Sequence, residues 1–322
     1  MMRKLAFIFP GQGAQYVGMG KDLAENYPTA RRVFEWADDT LGMRLSDKMF
    51  HGSEDDLKLT EVTQPAIVTV SIACLAVLRE FGLEPEGVAG LSLGEYSALI
   101  AAGALSFSDA LPLVQKRGRF MQEAVPPGVG GMSAVLGLAR GKVEEACKQA
   151  SALGVVEPAN YNAPDQIVIA GEILAMRKAC DIAREQGAKR TVELPVSVSF
   201  HCSLLKGVEP LLAAELAKLQ LEPMAIPVVA NATAAYLSSS EAVLDALVRQ
   251  VSHAVFWQDS MERMIADGYH TFVEVGPGKS LTGLMKKINP NVWVHQVEDM
   301  KTLVKVVSAL GGEEGENLAF NR

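Results

Sequence analysis

Cysteine is scarce in this sequence, and the few residues present lack the spacing of a metal or disulfide site. Four cysteines occur among 322 residues, at positions far apart: Cys74, Cys147, Cys180 and Cys202. There is no CxxC pair, and no spacing of cysteine and histidine typical of zinc. We therefore expect reduced thiols and no bound metal, as in a cytoplasmic protein. The first ten residues also lack the features of a secretory signal, which agrees with that location.

The chain also lacks an excess of positive charge and any very long hydrophobic run. Its 30 lysine and arginine residues are outnumbered by 38 aspartate and glutamate residues, which gives a net charge of −8. This balance argues against nucleic acid or an anionic membrane as the main partner, and we expect no membrane-spanning segment. A chain of 322 residues can bury roughly three quarters of its unfolded surface, so we expect one large domain and one smaller one.

Two glycine-rich segments lack a glycine that nucleotide-binding loops require. After Gly11 and Gly13, Tyr16 occupies the place of the third glycine of a dinucleotide-binding fingerprint. Before Gly278, Val273 occupies the place of the first glycine of a Walker A loop. Neither segment therefore predicts a nucleotide site.

The most informative motif is Gly-Leu-Ser-Leu-Gly at residues 90–94, between a short apolar run and a helix-forming stretch. This pattern is typical of a nucleophile elbow, a sharp turn from strand to helix that exposes the hydroxyl of Ser92. The amide of Leu93 would then lie at the helix N-terminus, where an oxyanion would form. A serine needs a base to take its proton. Among the five histidines we favour His201, because it lies where the chain returns from a predicted insertion.

Short apolar runs alternate with helical periodicities along most of the chain, which predicts a parallel α/β sheet. The first run, Leu5–Phe9, is predicted to be a buried strand. A helix is predicted from Pro65 to Phe81, with the proline in its first turn. A Pro-Pro-Gly segment at residues 126–128 interrupts the alternation and is followed by the βαββαβ order of a ferredoxin-like unit. We therefore expect an α/β-hydrolase-like parallel sheet core, residues 1–127 and 198–322, with a ferredoxin-like subdomain inserted at residues 128–197.

Seven short segments stand in an order that is known from one enzyme family. They are Phe9–Gly13, Gly90–Glu95, Gln115–Gly118, Asn160–Asn162, Phe200–His201, Arg249–Gln250 and Glu274–Lys279. In these segments and their order the sequence resembles the malonyl-CoA:acyl carrier protein transacylases, over nearly the whole chain up to about residue 297. Ordered motifs of this number are far more specific than the elbow alone.

The resemblance implies a role for each residue of the catalytic group. Ser92 would be the acylated nucleophile, and His201 its general base and later its general acid. In this family a backbone carbonyl, here that of Gln250, orients the imidazole in place of an acidic side chain. This agrees with the lack of an obvious acidic partner in the sequence.

The resemblance also implies how the substrate is held. The oxyanion would lie on the amides of Gln12 and Leu93. Arg117 would bind the free carboxylate of the malonyl group, which a planar guanidinium grips with two hydrogen bonds. Without the resemblance, Arg117 would be interpreted as an ordinary solvated helix residue. One departure is Leu91, where many members carry histidine, so the wall beside the nucleophile is expected to be more apolar here.

The function implied is transfer of a malonyl group from malonyl-CoA to the phosphopantetheine thiol of acyl carrier protein, through an acyl-enzyme on Ser92 and without a cofactor or metal. The chain would be a monomer, and its carrier would serve fatty-acid, polyketide or malonate-decarboxylase metabolism. Two alternatives stay open. A serine thioesterase or esterase would use the same elbow and admit water, and a non-catalytic assembly subunit would not be expected to retain both Ser92 and His201.

Four further polar residues are interpreted as structural. Asn160, Asn162 and Asn231 would satisfy turns and backbone groups. Glu95 would be a residue of the first helical turn, favoured there by the helix dipole.

Overall fold

The computed structural model describes residues 4–126, 128–196 and 198–311. These residues form nine strands: β1 (Lys4–Phe9), β2 (Gly87–Gly90), β3 (Gly130–Leu136), β4 (Val156–Ala163), β5 (Gln166–Glu172), β6 (Arg190–Glu193), β7 (Val228–Val229), β8 (Tyr269–Val275) and β9 (Trp293–Val297). They also form thirteen α-helices: α1 (Lys21–Asn26), α2 (Pro28–Leu41), α3 (Leu45–His51), α4 (Thr60–Glu80), α5 (Gly94–Ala101), α6 (Phe107–Ala124), α7 (Arg140–Ala150), α8 (Ile173–Glu185), α9 (Val208–Leu216), α10 (Ser240–Gln250), α11 (Trp257–Ala266), α12 (Ser280–Ile288) and α13 (Met300–Leu310). The predicted domain boundaries fall at Pro127 and Ser197, which lie outside the described residues.

Five strands form a parallel sheet in the order β7-β2-β1-β8-β9. Each neighbouring pair runs parallel, which confirms the predicted sheet. In the central strand β1, Phe7 and Phe9 pack into one hydrophobic cluster while Ala6 and Ile8 pack into another. Both faces of the sheet are therefore covered, which explains why β1 is a continuous apolar run.

Helix α4 begins earlier than predicted. Its first residue is Thr60, so Pro65 lies inside the helix and not in its first turn. A proline there removes the hydrogen bond to the carbonyl of Glu61, four residues before it, and its ring crowds that carbonyl. The core tolerates this loss because every residue from Val62 to Leu75 is buried. By length and composition alone α4 would be able to cross a membrane, although the sequence analysis expects no such segment. Of the 18 most apolar consecutive residues of α4, however, 89% are buried inside the fold.

Four antiparallel strands form a second, smaller sheet in the order β4-β5-β3-β6. With α7 and α8 between the strands, this unit has the predicted ferredoxin-like order along the chain. One face of the sheet, which includes Val135 and Ile167, packs against α7 and α8. The other face, which includes Met132 and Val168, packs with Cys202. The small sheet therefore turns one face towards the segment that carries His201.

The turn between β2 and α5 brings three backbone segments into close contact. Ser92 lies in this turn with a left-handed backbone (φ 52°). A Cβ on Gly90 would overlap the backbone of Gly94, and a Cβ on Gly94 would overlap the carbonyl oxygen of Phe9 at the end of β1. Both glycines are therefore needed for strand, turn and helix to pass so closely, as expected of a nucleophile elbow.

Replacing Gly94 by alanine should destabilise the fold. The new methyl group would have to displace the backbone of Phe9, and we expect the free energy of unfolding to fall by about 3 kcal/mol. Gly141 in α7 is the matched control, because a Cβ there meets nothing within 4 Å. Gly141→Ala should be neutral or stabilising by about 0.5–1 kcal/mol. Urea unfolding followed by circular dichroism measures both, and equal stabilities would contradict the tight crossing.

Candidate active site

Ser92 lies at the tip of the elbow, where its backbone is held by two side chains. Its amide donates a hydrogen bond to Oδ1 of Asn231 (2.6 Å), and its carbonyl accepts one from Nε2 of Gln250 (2.8 Å). Asn231 also donates from Nδ2 to the carbonyl of Gly90 (2.6 Å), which agrees with its interpretation as a residue that satisfies backbone groups. These bonds stabilise a left-handed conformation that is costly for a residue with a Cβ.

His201 is placed to act as a base on Ser92. Its Nε2 lies 2.6 Å from Oγ of Ser92, and its Nδ1 lies 2.7 Å from the backbone carbonyl oxygen of Gln250. A carbonyl only accepts hydrogen bonds, so Nδ1 carries the proton and Nε2 is left to accept from the serine hydroxyl. The structure therefore brings together the three groups that the resemblance implied.

The imidazole of His201 is almost completely buried, with 3% of its surface exposed. Burial and, to a smaller extent, the positive charge of Arg117 lower the pKa of His201 to about 4, against the effect of the hydrogen bond to Gln250. The imidazole is therefore uncharged at neutral pH. This is the form that can accept a proton from Ser92.

Arg117 extends from α6 to the nucleophile and is buried, with 1% of its surface exposed. An ordinary solvated helix residue, as Arg117 would be interpreted without the resemblance, would not be buried in this way. Nη1 donates to Oε1 of Gln64 (2.9 Å), and Nη2 donates to Oε1 of Gln250 (2.9 Å) and to Oγ of Ser92 (3.3 Å). Because these acceptors are neutral, the guanidinium keeps its charge available for an anion beside the serine.

A cleft of about 680 Å³ opens beside Ser92 and lies between the two sheets. One wall comes from the elbow and the loop after β1, and it includes Leu91 and Gln12. The opposite wall comes from the small sheet and includes Asn160 and Asn162. A cleft of this size is typical of a small-molecule site, and Leu91 gives its wall the apolar character expected from the sequence.

The two amides expected to bind the oxyanion come from the loop after β1 and from the elbow. Gln12 lines the cleft, and Leu93 immediately precedes the first residue of α5. Gly11 lets the loop approach the elbow, because a Cβ there would lie 2.5 Å from the carbonyl oxygen of Leu91. Within the described parts of the chain, neither amide donates a hydrogen bond. Their binding of an oxyanion stays a prediction.

The sequence analysis interprets Glu95 as structural and does not name Gln64, although the structure places both beside the catalytic group. Glu95 is fully buried and accepts hydrogen bonds from Gln250 and Asn231, so its interpretation as a helix-dipole residue is incomplete. Its position directly after the elbow is a signal that was available in the sequence. Nothing in the local pattern around Gln64 marks it as a partner of Arg117.

The chain matches one protein family over almost its whole length. A family model described as the acyl transferase domain matches residues 6–313. The malonyl CoA-acyl carrier protein transacylase of Bacillus subtilis is 43% identical over 98% of this chain and 100% of the relative. The chain belongs to the malonyl-CoA:acyl carrier protein transacylase family.

Solved transacylase structures share the fold. The malonyl CoA-acyl carrier protein transacylase from Clostridium perfringens superposes with a TM-score of 0.93 at 45% identity, covering 99% of this chain and 100% of that one. A malonyl-transacylase in complex with its type II PKS acyl-carrier protein gives a TM-score of 0.93 at 40% identity, covering 95% and 99%. The resemblance carried by the ordered sequence motifs is therefore confirmed, and so is the α/β architecture with its small antiparallel sheet.

The low pKa of His201 leads to a testable prediction. In an NMR titration, the imidazole should stay neutral as the pH falls from 6.5 and should take up its proton near pH 4. Because the unfolded chain binds this proton at the ordinary pKa, the contribution of His201 to stability, measured as wild type against His201→Gln, should decrease as the pH drops across the same interval. His201→Gln assigns the resonance by removing it. A midpoint near 6.5 would show that burial does not control this group.

Proposed function

We propose that this chain transfers a malonyl group from malonyl-CoA to the phosphopantetheine thiol of acyl carrier protein, through an acyl-enzyme on Ser92. One observation carries the proposal: Nη2 of the buried Arg117 lies 3.3 Å from Oγ of Ser92, and the same oxygen lies 2.6 Å from Nε2 of His201. An acyl group on Ser92 that ends in a carboxylate would place this anion beside the guanidinium. The names of the relatives support the same substrate and acceptor.

The first half-reaction loads the enzyme. His201 takes the proton of Ser92 on Nε2 while Oγ attacks the thioester carbonyl of malonyl-CoA. The amides of Leu93 and Gln12 stabilise the oxyanion. The C–S bond then breaks, and the thiol of coenzyme A leaves with the proton from His201. In this scheme the Gln250 carbonyl orients the base.

The second half-reaction unloads the enzyme by the reverse sequence. The phosphopantetheine thiol gives its proton to His201 and attacks the acyl-serine, and Ser92 recovers its proton when the new thioester forms. Side chains and amides of the chain supply the nucleophile, the base and the oxyanion donors, so the proposed scheme needs no cofactor or metal. All of these groups belong to one chain, which supports a monomer. A net charge of −8 supports the proposal that the chain acts without nucleic acid or membrane as a partner. The few, widely spaced cysteines support the cytoplasm as its location.

Ser92→Ala should abolish the formation of the acyl-enzyme, because it removes the atom that carries the acyl group. Intact-mass measurement after incubation with malonyl-CoA should show one added malonyl group on the wild type and none on the variant. Adding carrier protein should move the group to the carrier thiol. Loss of the group to water at the same rate without carrier would instead favour a thioesterase, and acylation of Ser92→Ala at the wild-type rate would overturn the proposal.

Arg117→Ala should reduce malonyl transfer far more than acetyl transfer, because only malonyl offers a carboxylate. Losing a charge-assisted bidentate contact should cost about 2–4 kcal/mol, or roughly 30- to 1000-fold in kcat/KM for malonyl-CoA. Arg117→Lys should recover only part of this loss. The matched control is Arg119→Ala on the same helix, since Arg119 is exposed and its contacts there are an ion pair with Glu123 (4.0 Å) and the ring of Phe120. Equal losses for both acyl groups would mean that Arg117 serves the fold alone.

A further inference from the structure

Glu95 is a buried carboxyl group for which the proposed acyl transfer has no role. It lies in the first turn of α5, directly after the elbow, and none of its surface is exposed (0%). Its Oε2 accepts hydrogen bonds from Nε2 of Gln250 (2.7 Å) and from the backbone N–H of Asn231 (3.2 Å). Its Oε1 has no hydrogen-bond partner in the described parts of the chain. A buried carboxyl group is costly, so its two contacts call for an explanation.

The two residues that contact Glu95 are the two that hold the backbone of Ser92. Gln250 donates to the carbonyl of Ser92, and Asn231 accepts from its amide. Gln250 also accepts from Arg117 through Oε1 and holds His201 through its backbone carbonyl. One carboxylate oxygen is therefore linked, through two neighbours, to the nucleophile, the base and the guanidinium.

The side-chain amide of Gln250 has one orientation that satisfies all of its partners. Arg117 only donates hydrogen bonds, so Oε1 of Gln250 must face it. A carboxylate only accepts, so Nε2 must face Glu95, and from there the same group reaches the carbonyl of Ser92. A neutral amide in place of Glu95 would be able to donate or to accept, and it would no longer enforce this orientation.

We infer that Glu95 is a positioning residue for acyl transfer, whose carboxylate orients Gln250 and Asn231 and through them keeps Ser92 in the left-handed conformation that directs its hydroxyl to His201. The inference rests on the proposed function for the identity of the acyl group. It concerns the reactivity of Ser92 itself, which can be measured without any malonyl compound.

Glu95→Gln tests the inference because it keeps the size of the side chain and removes its charge. A fluorophosphonate reagent that phosphonylates activated serines reports the reactivity of Ser92 by intact mass, with fluoride as the leaving group. At about pH 8 the labelling rate constant should fall by about tenfold or more, as expected for the loss of a charge-assisted hydrogen bond. The rate of acylation by saturating malonyl-CoA should fall by a similar factor, with little change in KM.

Glu274→Gln is the matched control for the loss of a buried carboxylate. Glu274 is also unexposed (0%), and it accepts hydrogen bonds from the amides of Leu281 (3.0 Å) and Thr282 (2.7 Å) at the start of α12. Its replacement should lower stability while leaving the labelling rate of Ser92 at the wild-type value. Equal slowing in both variants would overturn the inference, because the effect would then be one of general stability.

The pH profile of the wild type is a second measurement, and it does not depend on the folding of a variant. Burial raises the pKa of Glu95 to about 7, against the hydrogen bonds from Gln250 and Asn231 and the charge of Arg117. Tyr96, whose pKa burial raises to about 12, interacts with Glu95 but stays neutral near pH 7, and Arg117 stays charged. With its pKa lowered to about 4, His201 is also uncharged there.

The labelling rate of the wild type should therefore rise severalfold between about pH 6 and about pH 8, as Glu95 loses its proton and becomes the stronger acceptor. A flat profile in this interval, or wild-type labelling of Glu95→Gln, would overturn the inference. If Ser92 of the wild type is labelled but malonyl-CoA leaves no adduct on it, the proposed function fails, while the two labelling measurements still decide the role of Glu95.

Discussion

The guanidinium of Arg117 is buried, and a buried cation is tolerated only where acceptors surround it. Here the acceptors of Nη1 and Nη2 include the neutral side-chain oxygens of Gln64 and Gln250, which satisfy hydrogen bonds without cancelling the charge. The field of this charge adds to burial in lowering the pKa of His201, so the base is uncharged and ready to accept a proton. The same uncancelled charge is what a carboxylate-bearing acyl group on Ser92 would meet.

The order of strands in the parallel sheet explains how distant segments converge on this charge. Neighbouring parallel strands end at the same edge of the sheet, and β7, β2 and β1 are adjacent. Asn231 follows the end of β7, Ser92 follows β2 and Gln12 follows β1. The edge of the sheet therefore supplies the nucleophile, the group that holds its amide and a proposed oxyanion donor. The small antiparallel sheet closes the opposite side of the cleft.

Local signals in the sequence predict the parts of the site that depend on local backbone geometry. The elbow around Ser92 is predictable because glycines at both flanks are required by the crossing of β2, α5 and β1. The contacts of Arg117 with Gln64 and of Ser92 with Asn231 are not predictable from local signals. The first pair is separated by 53 positions along the chain and the second by 139. The short helices α1 and α3, of six and seven residues, are missed for another reason: they are too short to show helical periodicity. The early start of α4 is missed because an interior proline does not end a helix whose residues on both sides of it are packed in the core.

Among the described residues no acidic side chain lies directly on the base or on the guanidinium, and Gln250 accounts for this. A carboxylate in contact with Arg117 would form an ion pair in the place that a substrate carboxylate needs, and a carboxylate on Nδ1 of His201 would raise the pKa of the imidazole. Gln250 prevents both contacts, because its side-chain amide lies between Glu95 and Arg117 and its backbone carbonyl takes the position of the acid. Its hydrogen bonds orient Ser92 and Arg117, while the negative charge of Glu95 stays out of contact with the guanidinium. An acidic residue at this position would neutralise the guanidinium, and an apolar residue would release both Ser92 and Arg117.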